Sequence, residues 1–228
     1  MNELSKSSSL LKTGGILAIL LGVTRLLAGL GYVLLPTELR LFSAGPNFLP
    51  AFNQNPNLLL TIFWIETAAG ILGIGVIPAI SSLVKNGNEG VIRWVSNLAF
   101  LGFGFSAAGY LLSIVRIPVI SNEFVAGDAS TKAALAVVWR SSIDLMGFWG
   151  YGTVGVWILV LCWLNIKNKI FPSGLSYLGI LTGILYILIP IGVELKTQVV
   201  ILLVSVVGAV VGPVWYIWIG IVMRQKTS

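Results

Sequence analysis

The feature that most constrains this chain is repetition: apolar runs of about 20 residues recur from end to end, set apart by short polar or proline-marked breaks. A run of that length crosses the hydrocarbon of a bilayer as an α-helix, which satisfies its own backbone hydrogen bonds in lipid. A transmembrane barrel needs strands that alternate polar with apolar residues, and these runs do not alternate. Composition agrees. Charged residues make up 10% of the 228 and mean hydropathy is +0.96, whereas a soluble domain carries about 25% charged residues. The sequence predicts an all-α integral membrane protein, one transmembrane domain over residues 1–228, placed in the cell membrane with lipids as its nearest partners.

Six spans can be drawn, near 14–36, 58–83, 94–116, 134–165, 173–192 and 199–223. Pro36, Pro118 and Pro172 mark their ends, as helix breakers do. The first run shows no small-x-small cleavage site and reads as a retained helix. Lysine and arginine set the orientation. Lys6, Lys12, Lys85, Arg93, Lys167, Lys169, Arg224 and Lys226 fall on one side, and Arg40, Arg116, Lys132, Arg140 and Lys196 on the other. The side richer in cations is expected to be cytoplasmic, with both termini there. The net charge of +6 is therefore a topology signal and implies no nucleic acid.

Two outer connections exceed simple turns. Residues 37–57 mix prolines with Phe42, Phe48, Leu49 and Phe52, aromatic and apolar anchors suited to the membrane interface. Residues 117–133 contain GDAST, where Asp128 or Ser130 can cap a helix. The apolar pattern that follows runs to Asn165, longer than one crossing needs, which points to an interfacial turn or a protruding fourth helix. GILGIGVIP at 70–78 resembles GILYILIP at 183–190, and the pattern admits two inverted three-helix halves.

Two charges lie deep inside spans. Arg25 is 11 residues below Pro36, about 16 Å at the helical rise. Glu66 is 8 residues from Leu58, about 12 Å from the same side. Each is costly alone in lipid, their depths are similar, and their helices are consecutive and antiparallel. Arg25 shares a face with Gly22, Ala28, Gly29 and Tyr32, and Glu66 with Ala69, Gly70 and Gly73; small residues allow close helix approach. An Arg25–Glu66 ion pair follows. In the fourth run, VWRSSIDLMGFWGYGTVG places Arg140 and Asp144 four apart, with Tyr151 continuing the Asp144 side. Arg140 and Asp144 read either as an interfacial ion pair or, with Arg116 at the end of the third span, as the rim of an outward cavity whose floor is Arg25 and Glu66. Trp64, Tyr110 and Tyr151 are the aromatics placed to line it. The glycines of GFWGYGTVG suit close packing and form no phosphate loop. Pro213 should kink the sixth span, and Trp215, Tyr216 and Trp218 beyond it suit an interfacial belt or, as the alternative, a cavity lining.

The chain has no histidine and one cysteine, Cys162, so histidine-ligated haem, zinc clusters, a Ser-His-Asp triad and internal disulfides are excluded. No metal or cofactor is expected. All eight lysines sit in loops or at span ends, which leaves no buried amine for a retinal Schiff base.

GFWGYGTVGVWILVLCWLNIKNKIFPSGLSYLGILTGILYILIP, together with GPVWYIWIGIVM, resembles the uncharacterised bacterial membrane family called domain of unknown function 4386, over about residues 145–223. The resemblance implies a small multi-helix bundle in a bacterial inner membrane and carries no activity or site residue. Three functions stay open. The first is binding or transport of a small amphiphilic or anionic molecule. The second is an accessory subunit docking on a membrane-protein partner or a second copy. The third is a lipid-phase enzyme such as an acid-initiated isoprenoid cyclase built on Glu66, which an Arg25 contact would argue against.

Overall fold

A computed structural model describes residues 3–40, 47–84, 88–140, 147–194 and 198–227. Among them the chain forms helices and turns with no strand. Helix α1 spans Glu3–Leu34, α2 Phe48–Gln54, α3 Asn57–Leu83, α4 Glu89–Ala126 and α5 Ala129–Arg140. Helix α6 (Thr153–Asn168) continues a π-helical turn at Gly147–Gly152, and α7 (Ser173–Glu194) and α8 (Gln198–Gln225) complete the order. Five helical segments among the described residues are long and apolar enough to cross a membrane: Ser8–Leu34, Asn57–Leu83, Glu89–Ala126, Gly147–Asn168 and Ser173–Gly192.

Each long helix packs on the next in sequence, α1 on α3, α3 on α4, α4 on α6, α6 on α7 and α7 on α8, and α8 returns to α1. The result is a closed ring. Its outer face is apolar: Leu27, Leu30, Val33, Ile71, Val115 and Trp163 are all exposed. Lipid tails are as apolar as these side chains, so burial of leucine does not drive the helices together, and close packing must do it. Glycines at seven-residue spacing on α1 supply the closing seam. Gly15 lies against Gly220, Gly22 against Pro213 and Ile217, and Gly29 against Ala209. A Cβ on Gly22 would come within 2.6 Å of the Pro213 carbonyl oxygen. The small residues beside Arg25 therefore serve α8, whereas Gly70 and Gly73 beside Glu66 receive Ala107 and Phe103 of α4.

Several sequence expectations change. Pro118 lies inside α4, which continues to Ala126. Tertiary packing overrides the proline: Ile117 joins a buried cluster with Phe48, Leu49 and Phe52 of α2, and Ser121 Oγ donates to the Leu49 carbonyl at 2.7 Å. Those α2 side chains are accordingly buried within the protein, and are not interfacial anchors. Phe42, Lys85 and Lys196 lie outside the described residues. The long fourth run is helical to Arg140 and again from Gly147, with α5 distinct from the apolar segment 147–168. Trp215 and Tyr216 are 0% and 1% exposed, so they belong to the core, while Trp218 faces outward. Trp215 meets Trp157 and Tyr216 edge-on, and Tyr216 leans on Phe103. Cys162 is a buried free thiol, as its apolar setting suggests.

The turn between α6 and α7 is organised by one buried side chain. Asn165 Nδ2 donates to the Phe171 carbonyl and to Ser176 Oγ, and its Oδ1 accepts from the Ile170 and Phe171 amides. All four of its hydrogen-bonding positions are used, and Lys169 takes the left-handed conformation that ends α6. Replacing Asn165 with Ala should cost about 2–4 kcal/mol, because two backbone amides and a serine lose their partner in a buried turn. Thermal unfolding of the detergent-purified protein measures it, and an unchanged midpoint would contradict the assignment.

Asp128 caps α5: its Oδ1 accepts from the Thr131 amide and from Ser130 Oγ, both at 2.8 Å. These bonds lower the carboxyl from 3.8 to about 2. A depressed folded value means that the cap's contribution is complete above the unfolded value and is lost as pH falls through the folded one. Amide exchange in the first turn of α5 should therefore accelerate between about pH 4 and pH 2 in the wild type, and much less in Asp128→Asn.

Candidate functional site

The two intramembrane charges meet. Arg25 of α1 donates from Nη1 to Glu66 Oε2 of α3 as a buried ion pair, and the same nitrogen donates to Tyr151 Oη at 2.9 Å. Arg25 and Glu66 are 8% and 3% exposed, so the described structure is closed over the pair. The guanidinium also lies over the Tyr151 ring at 5.2 Å, adding a cation–π contact. Tyr151 stands on the π-helical turn, where an extra residue per turn changes which way each side chain points.

Further aromatics surround this contact. The Tyr151 and Tyr110 hydroxyls lie 3.5 Å apart, and the Tyr110 ring rests on Phe63 at 5.7 Å. The hydroxyls of Tyr32 and Tyr110 interact as well. The Tyr186 ring meets Tyr151 edge-on at 5.3 Å, and its hydroxyl sits in the notch left by Gly212 on α8. Tyr216 is within electrostatic reach of Tyr186, Arg25 and Tyr151. Every helix of the ring thus contributes at least one polar side chain to a common hub: Arg25 from α1, Glu66 from α3, Tyr110 from α4, Tyr151 from the turn entering α6, Tyr186 from α7 and Tyr216 from α8.

The hub has hydrogen-bonding capacity left over. Among the described residues, Arg25 Nε and Nη2 and Glu66 Oε1 make no hydrogen bond. The Tyr216 hydroxyl and the Ser106 hydroxyl are buried without a partner there. Ser106 shares the α4 face of Phe103 and Tyr110, at spacings of three and four, so it looks into the same interior. A buried polar group left unpaired costs about 1–3 kcal/mol, which makes these two hydroxyls a feature to explain.

Of the other residues singled out from sequence, Trp64 is 57% exposed and faces away from the hub. Arg116 is half-buried and makes no hydrogen bond or ion pair among the described residues. Arg140 ends α5, its side chain lies outside the described residues, and Asp144 lies outside them entirely. Tyr186 and Ser106 escaped sequence reading, and Tyr216 reads from sequence mainly as a belt residue. Their only advance signal was being polar within apolar runs, which belt residues and helix-face serines share. No metal-holding group of acidic or cysteine side chains occurs among the described residues. A cavity of about 470 Å3 lies elsewhere, between the end of α3 and the start of α4.

Apolar helices closed around a buried charge pair define a polytopic α-helical membrane protein. Within that class, the chain belongs to the family described as "Domain of unknown function (DUF4386)", which matches residues 15–221 and so includes both α1 and α8. No curated protein and no solved structure matches the chain.

The bond lengths rank the tyrosines. Tyr151→Phe removes an acceptor from a buried cation and should destabilise by about 1.5–3 kcal/mol. Tyr110→Phe loses a contact to Tyr151 at the limit of hydrogen bonding and its contact to Tyr32, neither of them to a charged group, and should cost less. Paired thermal melts decide it, and equal losses would contradict the ranking.

Proposed function

We propose that the protein is a six-span bundle of the bacterial cell membrane, with both termini cytoplasmic, that binds a small amphiphilic or anionic molecule at the hub and moves it across the membrane. The carrying observation is unused polarity around the ion pair: three N–H groups on Arg25 Nε and Nη2 make no hydrogen bond, and the Tyr216 and Ser106 hydroxyls are buried without a partner among the described residues. Such donors suit the acceptor oxygens of a carboxylate, phosphate or carbonyl head, and the surrounding rings suit an apolar body. The pair stays neutral overall while the guanidinium keeps its unused edge for a ligand. Intramembrane ionisable groups commonly mark substrate paths. A path from the outer end, past Arg116, Arg140 and Asp144, requires the ring to open above Glu66.

The Arg25 contact weighs against a cyclase that would use Glu66 as a free acid, because the carboxylate already has a cationic partner.

Straight-chain carboxylates of increasing length provide the probe series. A thermal-shift titration of the purified protein should show stabilisation by one range of chain lengths. Tyr216→Phe, which keeps the packed ring and removes only the hydroxyl, should weaken binding about five- to tenfold. No stabilisation by any chain length, with Tyr216→Phe as stable as the wild type, would make the hub a structural clasp only.

A further inference from the structure

We infer a second site, independent of the hub: the cavity between α3 and α4 holds the headgroup of a zwitterionic phospholipid, with phosphate on Arg93 and ammonium on Glu89. The cavity of about 470 Å3 is large enough for a headgroup and the start of a chain. Its α4 wall is built from Glu89, Arg93, Asn97 and Phe100, all of which line it. Spacings of four, four and three keep those residues on one helix face.

The order along that face carries the argument. Helix α4 starts at Glu89 and runs into the apolar segment, so Glu89 lies nearest the membrane surface and Phe100 deepest. Going inwards, the wall presents an acid, a base, a neutral amide and then an aromatic ring. A phosphatidylethanolamine going inwards presents an ammonium, a phosphate, ester oxygens and then an acyl chain. Each position meets its chemical complement. The acid and the base are one turn apart, about 6 Å along the helix, and the two lipid charges are joined by a two-carbon link.

The structure leaves these groups available. Arg93 and Glu89 form no ion pair with each other or with another described residue. Open space adjoins Gly90, where an added Cβ would meet nothing within 4 Å. The rear wall is fixed in place. Ser81 of α3 and Ser96 of α4 are both buried and share a hydrogen bond of 2.7 Å, and the Trp157 indole donates to Ser81 Oγ at 3.3 Å. The two helices are thus held side by side, and the groove between them keeps its shape. Inverting the two charges would reverse the polarity and remove the match, while an anionic lipid lacking the ammonium would put Glu89 beside a like-charged or neutral headgroup.

Native mass spectrometry of the full chain, released from micelles with equal phosphatidylethanolamine and phosphatidylglycerol, tests the assignment. The wild type should retain one phosphatidylethanolamine in preference. Arg93→Gln should lower retention of both lipids about fivefold, and Glu89→Gln should remove the preference while leaving phosphatidylglycerol bound. Both positions are exposed, so the variants should fold, and circular dichroism checks this. Inorganic phosphate in excess should not displace the lipid. Displacement would assign the site to free phosphate and overturn the inference. Equal retention of both lipids by all three proteins would show only bulk lipid contact and would overturn it as well.

Discussion

A charge placed in the middle of a bilayer must be neutralised by something the protein itself supplies. In this chain that requirement falls on Arg25 and Glu66, and the arrangement of the helices follows from meeting it. The pair fixes α1 against α3 at one depth. Tyr151 then brings the α6 segment to the same guanidinium, and Tyr110, Tyr186 and Tyr216 complete the circle. Buried ion pairs are poor sources of net stability, since desolvation offsets much of the attraction. Their value here is positional: sliding any helix by one turn would strand a charge or a hydroxyl in hydrocarbon.

Packing between the helices is a separate matter, and it is handled by other residues. The Gly15–Gly22–Gly29 seam closes α1 on α8, Gly70 and Gly73 admit α4, and Gly155 approaches the Gly183 carbonyl on α7. These contacts are close, as association in lipid demands. The ring therefore combines an apolar exterior, small-residue seams and a polar centre. That centre keeps buried hydroxyls without a partner among the described residues, and the family match from α1 into α8 indicates that the whole ring is the family unit.

Much of this was legible in the sequence, for identifiable reasons. Hydropathy located the long helices because the bilayer forces backbone bonding within each of them. Arg25 and Glu66 could be paired because depth is readable from residue count and isolated charges are expensive. What sequence could not show depended on contacts between distant segments. Pro118 looked like an end, but α2 packs beside it and holds α4 in one piece. Tyr216 and Trp215 looked like belt residues, since an aromatic near a helix end reads the same whether it faces lipid or core. Trp64 neighbours Glu66 in sequence and faces the opposite way, because adjacent helical residues point about 100° apart. The π-helical turn left only three glycines interleaved with aromatics as its trace.

The central claim is that Arg25 and Glu66 are energetically coupled at the core of the ring, and a double-mutant cycle measures that coupling directly. Arg25→Ala and Glu66→Gln are made singly and together, and unfolding free energies are determined in the same lipid–detergent mixture. Each single change strands one partner and should cost about 3–5 kcal/mol. The double change should cost less than the sum by about 1–3 kcal/mol, because the second substitution removes a group already left without its partner. Additive losses would contradict the account, and with it the view that this pair sets the position of every other helix.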